Sequence, residues 1–168
     1  MVILLIKYNK NLTTILILIF SLLQTSIFFS IYHYTDPKEF SSMVNQVITN
    51  GSMRIVILII VALILIASIL LSYFFSKIFA FITTKIYQNE GKYNDFQNSF
   101  LVFLIILIIQ PLINILLSNT IDINFPLMQI LAVCFILWRL VSISGNWTKS
   151  IAFSTIIAIS IFIINRIN

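Results

Sequence analysis

The chain has 168 residues, of which 60% are hydrophobic and only 9% are charged, with a formal net charge of +5. Because a soluble domain carries about 25% charged residues, this composition excludes a soluble enzyme, a nucleic-acid-binding module and a disordered tail. It predicts an integral membrane protein that forms a single all-α domain over residues 1–168. The ten lysines and arginines flank apolar runs and form no continuous stripe, so nucleic acid is not expected as a partner.

Five uncharged or nearly uncharged stretches have the length of a membrane-spanning helix, about 20 residues for ~30 Å of hydrocarbon. They cover residues 11–32, 55–76, 99–117, 125–144 and 147–165. If the N-terminus is cytoplasmic, seven lysines and arginines lie inside and three outside, which favours this orientation. The sequence therefore predicts five spans with the N-terminus inside and the C-terminus outside. We interpret the first stretch as a retained anchor, because no small-residue cleavage motif follows it.

The connection after the first span predicts a short amphipathic helix. Asp36 is a suitable N-cap, Pro37 suits the first helical position, and Glu39 would complete a capping box. Asn50 and Gly51 supply a stop signal. The apolar residues that then fall on one face are Phe40, Met43, Val44, Val47 and Ile48. We expect this helix to lie at the outer interface of the membrane, and the alternative is an external lid over a cavity between the spans.

The second span carries small residues every four positions, namely Ser68, Ser72, Ser76 and Ala80. Small residues at this spacing let another helix approach closely, so the stripe predicts a packed face, with a polar pathway as the alternative. Beyond Ser76 we expect a cytoplasmic extension at the level of the lipid headgroups. The residues predicted for its apolar face are Phe75, Ile78, Phe79, Ile82 and Ile86.

The third span holds polar groups in the middle of an apolar stretch. Pro111 removes one backbone hydrogen bond and predicts a kink. Gln110 and Asn114 lie four residues apart and need partners across the bundle. The candidate partners are Gln24 and Thr25 of the first span and Gln129 of the fourth. The group is interpreted either as interhelical hydrogen bonds or as a polar pocket for a ligand or partner, formed by Gln110, Pro111, Asn114, Gln24 and Gln129.

Arg139 is the one strongly charged side chain well inside a predicted span. It precedes Gly145 by six residues, which corresponds to about 9 Å along a helix. An arginine at this depth can reach the headgroups by snorkelling, beside Trp138 and Trp147 in an aromatic belt. The alternative is that Arg139, Trp138 and Trp147 contact a lipid headgroup or the carboxylate of a partner.

The sequence offers little for catalysis. All five acidic residues lie in the predicted connections, the single histidine is His33 at the end of the first span, and the single cysteine is Cys134. No catalytic, metal-ligating or cofactor-binding residue is identified, so we expect the protein not to be an enzyme and to hold no cofactor.

Several landmarks between Ile55 and Asn165 resemble the Yip-type membrane proteins, which interact with Ypt/Rab GTPases. The landmarks are Gly91 after the long second helix, Phe100, Pro111, Trp138, Gly145 and Lys149. The chain lacks the long cytosolic N-terminal region of the eukaryotic members. The resemblance therefore implies the bacterial branch, some of whose members accompany peptide-exporting ABC transporters.

Two functions are expected from these features. The first is a non-enzymatic accessory or assembly subunit of a bacterial plasma membrane, which contacts membrane lipids and a membrane protein partner such as an ABC exporter. The second is a small transporter or immunity subunit that handles an amphipathic peptide or a lipid. The bundle rich in packing features favours the first, and the polar kink at Gln110 with the outer helix favours the second.

Overall fold

The computed structural model describes residues 2–89, 92–118 and 126–167, and the side chains of residues 11–89, 92–115 and 126–164. Helices fill almost all of these ranges. In chain order they are α1 (Val2–Thr35), α2 (Pro37–Thr49), α3 (Gly51–Tyr87), α4 (Tyr93–Ile108), α5 (Gln110–Ser118), α6 (Leu127–Ser144) and α7 (Trp147–Ile167). The described ranges contain no β-strand, which confirms the all-α class. Gly91 and the connection 119–125, including the predicted start of the fourth span, lie outside the described residues.

Five stretches within the described ranges are long and apolar enough to cross a membrane, as the sequence predicted. They are Asn11–Thr35, Gly51–Tyr87, Tyr93–Ile115, Leu127–Ser144 and Trp147–Ile164. The second stretch continues past Ser76 to Tyr87, and the third begins at Tyr93 rather than at Ser99. The predicted spans ended where charged or polar residues begin. A helix can continue through such residues as long as its backbone hydrogen bonds continue, so these two helices are longer than the predicted spans. The chain is a multi-pass membrane protein, and its orientation stays a prediction.

A capping side chain defines the start of α2. The Asp36 carboxylate accepts from the backbone N–H of Glu39 at 3.1 Å, and Pro37 occupies the first turn. The reciprocal half of the predicted capping box is wrong, because the N–H of Asp36 donates to the carbonyl of Tyr32. Glu39 instead accepts from the Tyr32 hydroxyl at 3.4 Å. These contacts hold the start of α2 against the end of α1.

The third span is broken between α4 and α5. The helix is interrupted at Ile109, two residues before Pro111. Proline has no N–H, and its ring clashes with the carbonyl of the residue four positions earlier. The predicted kink is therefore confirmed, and Gln110 lies at the beginning of the new helix α5.

The inner face of α3 is built mainly from small residues. Its buried residues are Ser68, Ser72, Ser76, Phe79, Ala80, Thr83 and Thr84, which confirms the packed stripe. The extension predicted after Ser76 continues as helix to Tyr87, and its position at the lipid headgroups stays a prediction. Of the five residues assigned to its apolar face, only Phe79 is buried. The stripe continues through Thr83 and Thr84 because α4 and α7 pack against this part of α3, where Tyr87 stacks on Phe96 and Phe79 meets Phe153.

Helix α4 occupies the centre of the bundle and packs against α1, α3 and α6. The main apolar core lies between α3, α4 and α6. It consists of Phe79, Ala80, Phe96, Phe103, Ala132, Ile136 and Leu140. Helix α7 returns beside α6 after Gly145, whose φ of 69° lies in the left-handed region that favours glycine. Side chains on different faces of α4 can therefore contact α1, α3 and α6.

Candidate functional site: polar contacts between the helices

Three consecutive buried residues of α4, Gln97, Asn98 and Ser99, contact three different helices, and we call them the α4 triplet. Gln97 Nε2 donates to Ser76 Oγ of α3 at 3.1 Å. Thr13 Oγ1 of α1 donates to Asn98 Oδ1 at 2.6 Å, and Arg139 Nε of α6 donates to Ser99 Oγ at 3.1 Å. Successive residues of a helix point about 100° apart, so three adjacent polar side chains reach three neighbours.

Sequence reasoning missed the α4 triplet because it began the third span at Ser99 and assigned Gln97 and Asn98 to the connection. One signal was available. The triplet stands directly between Phe96 and Phe100, and aromatic residues on both sides favour burial over a solvated turn.

Arg139 bridges the interior and the surface of the bundle. Its Nε contacts Ser99, which is 2% exposed, while its guanidinium carbon lies 5.7 Å from the centre of the Trp138 ring. Trp138 and Trp147 are 62% and 64% exposed. The structure thus brings Arg139 and Trp138 together, and Trp147 lies at the first turn of α7.

Gln110, at the centre of the predicted polar pocket, makes two side-chain hydrogen bonds. Gln110 Oε1 accepts from the backbone N–H of Met128 at 2.7 Å, and Gln110 Nε2 donates to Asn114 Oδ1 at 2.6 Å. The Met128 N–H belongs to the first turn of α6, where backbone donors lack partners within the helix. Gln110 therefore caps α6, and Gln129 is the next residue of that same turn.

Gln24 belongs to a different contact. Ser68 Oγ of α3 donates to Gln24 Oε1 at 2.5 Å, across the interface between α1 and α3. Thr25, the other candidate of the first span, donates to the carbonyl of Ser21 in its own helix at 2.9 Å. The structure thus joins Gln110 and Asn114 at the start of α5, and it bonds Gln24 to Ser68 of α3.

The described charges are distributed unequally between the two ends of the bundle. The end where α3 meets α4, which we call the basic end, has five cations and one carboxylate, Asp95. The cations are Lys77, Lys85, Lys92, Arg139 and Lys149. At the α2 end, Lys38 and Arg54 are balanced by Asp36 and Glu39. The basic end therefore favours anionic surroundings.

An apolar cavity lies at the α2 end between α1, α2 and α3. It has a volume of about 190 Å³. Its lining consists of Phe28, Phe29, Tyr32, Met43, Ile57, Ile60, Val61 and Ile64. Only Met43 comes from α2, so this helix covers the cavity with a single side chain.

Comparisons with protein families, with curated proteins and with solved structures find no match to the chain. The resemblance to the Yip-type proteins therefore stays a prediction. Among the described residues, no group of three or more histidines, cysteines, aspartates or glutamates is placed to hold a metal ion.

Proposed function

We propose that the protein is a non-enzymatic accessory or assembly subunit of a bacterial plasma membrane, which acts through helix and lipid contacts. The observation that supports this proposal is the use of its buried polar groups. The α4 triplet, Gln24 and Gln110 each bind a group on another helix. Such bonds hold helices in a fixed arrangement, and the outward faces of α3 and α7 offer apolar surface to lipid or to another helix.

The partner suggested by the resemblance is a peptide-exporting ABC transporter. We propose α3 as the contacting helix, because its 37 residues extend over about 55 Å, well beyond the ~30 Å of hydrocarbon. Its outward face includes Leu63, Ile66, Leu70 and Phe74, each more than half exposed.

The test is affinity purification of the tagged full chain from its host in mild detergent, with quantitative mass spectrometry. We expect one stoichiometric membrane protein. Leu63→Trp combined with Leu70→Trp should abolish its recovery, whereas Ile156→Trp combined with Ile163→Trp on the outward face of α7 should not. Equal recovery from both double variants would exclude α3 as the contact, and the absence of any stoichiometric protein would refute the subunit proposal.

The second candidate function is the handling of an amphipathic peptide or lipid by a small transporter or immunity subunit. The cavity beneath α2 favours it, since its lining is wholly apolar and matches an acyl chain or an apolar side chain. Met43→Trp should fill the cavity and displace a copurifying amphipathic molecule. Val44→Trp is the matched control, because Val44 is exposed on the same helix.

A further inference from the structure

The guanidinium of Arg139 is oriented by a buried hydroxyl. Ser99 Oγ donates to the carbonyl of Asp95 at 2.7 Å, which leaves its lone pairs to accept from Arg139 Nε at 3.1 Å. Both bonds are made by the Ser99 hydroxyl, and Ser99 is only 2% exposed. The Arg139 guanidinium is therefore held at its Nε atom.

The two terminal nitrogens of the same guanidinium are not held by Ser99. Within the part of the chain that the structure describes, the two terminal nitrogens of Arg139 have no hydrogen-bond partner. The nearby carboxylate of Asp95 lies 3.6 Å from Lys92 Nζ. A cation in a spanning helix is costly without a counter-charge, so the terminal nitrogens require an acceptor from the surroundings.

The headgroups of the leaflet at the basic end can supply this acceptor, because an arginine inside a span can reach them by snorkelling. Arg139 is about 9 Å from the turn at Gly145, and the exposed Trp138 ring beside it is a side chain typical of the headgroup level. A guanidinium with two free nitrogens matches the spacing of two phosphate oxygens.

We propose that Arg139, oriented by Ser99 and flanked by Trp138, binds the phosphate of an anionic phospholipid in the leaflet at the basic end. This inference rests on the lipid contacts of the proposed function and names their site and chemistry. The excess of cations at this end favours an anionic headgroup over a zwitterionic one.

The experiment is native mass spectrometry of the purified, delipidated full chain titrated with phosphatidylglycerol or with phosphatidylcholine of the same acyl chains. The wild type should bind one phosphatidylglycerol about tenfold more tightly than phosphatidylcholine, as expected for charge-assisted hydrogen bonds. Arg139→Gln should abolish this preference. Arg139→Lys should lose most of it, because an ammonium cannot reproduce the planar pair of donors.

Lys85→Gln is the matched control, since it removes one positive charge from the same end. It should keep the preference, and an equal loss in Lys85→Gln and Arg139→Gln would overturn the site in favour of diffuse attraction. Full preference in Arg139→Lys would overturn the bidentate contact. Inorganic phosphate should not displace the lipid, and displacement at similar concentration would assign the site to a free anion.

Folding of each variant is checked by size-exclusion elution and helical circular dichroism. If Arg139→Gln fails to fold, Ser99→Ala tests the lipid site instead. This variant keeps the Arg139 cation and removes the hydrogen bond that orients it. Ser99→Ala should fold and lose part of the preference, whereas an unchanged preference would refute the role of Ser99. No partner protein is present in this experiment, so its outcome is independent of the search for an accessory partner.

Discussion

The hydroxyl of Thr13 in α1 donates a 2.6 Å hydrogen bond to Asn98 in α4, across 85 residues of sequence. Both side chains are buried. This bond ties the first helix of the chain to the central helix of the bundle, and it shares its level with the bonds from Gln97 to α3 and from Arg139 to Ser99.

The Thr13–Asn98 bond should appear as a coupling energy. In a double-mutant cycle with Thr13→Val and Asn98→Leu, we expect about 0.6 kcal/mol of coupling, with about 1.7 kcal/mol as the upper bound. The free energy of unfolding in mixed detergent micelles measures it. Thr13→Val combined with the exposed Ser160→Ala should be additive. Zero coupling in the Thr13–Asn98 cycle would mean that the bond adds nothing to stability.

The close approach of helices at the α3 stripe predicts strong size dependence at Ser72. Its hydroxyl donates to the carbonyl of Ile69 in its own helix at 3.1 Å, so Ser72→Ala should cost less than about 1 kcal/mol. Ser72→Leu should cost about 1–3 kcal/mol, because overpacking forces the helices apart. Thermal stability in detergent reports both changes. The same Ser→Leu change at the exposed Ser160 should be neutral, and a tolerated Ser72→Leu would place this face towards lipid.

The cap formed by Gln110 predicts a difference between two substitutions. Gln110→Leu removes the acceptor of the Met128 N–H and should destabilise the protein by about 1 kcal/mol, the usual value of a helix cap. Gln110→Glu keeps an acceptor at that point and should protect the Met128 N–H from exchange better than Leu does, although a carboxylate buried in a span lowers the overall stability. Hydrogen exchange at Met128 together with the free energy of unfolding tests the cap. Equal effects of the two variants on exchange would show that the α6 turn does not depend on it.

The predicted orientation is tested with single cysteines in a Cys134→Ser background, since Cys134 is itself exposed. Ser42→Cys on α2 should react with an impermeant thiol reagent in intact cells. Asn89→Cys, beyond the end of α3, should react only after permeabilisation. The opposite labelling pattern would reverse the N-in assignment.

Local signals in the sequence predicted the local features of the fold. The Asp36 cap, the break before Pro111 and the small-residue stripe of α3 each depend on residues within a few positions of one another. The number of apolar helices follows in the same way from the length of the uncharged runs.

Contacts between distant residues were harder to predict. The bond between Gln24 and Ser68 spans 44 residues, and only the arrangement of α1 beside α3 selects it. Gln97 and Asn98 were assigned to a solvated connection because their hydropathy is low. Hydropathy alone does not distinguish a polar side chain in water from one that bonds a neighbouring helix. Phe79 is buried and Ile78 is not, since the helices that pack on α3 decide which face is covered.

Asn50 is the single residue between α2 and α3, and it serves both helices. Its N–H bonds the carbonyl of Gln46, while its side chain accepts from the N–H of Ser52. Arg54 of α3 also donates to the carbonyls of Val47 and Ile48 at the end of α2. Because a single residue and the two Arg54 hydrogen bonds join the helices, α2 cannot swing away from the start of α3 unless those bonds break.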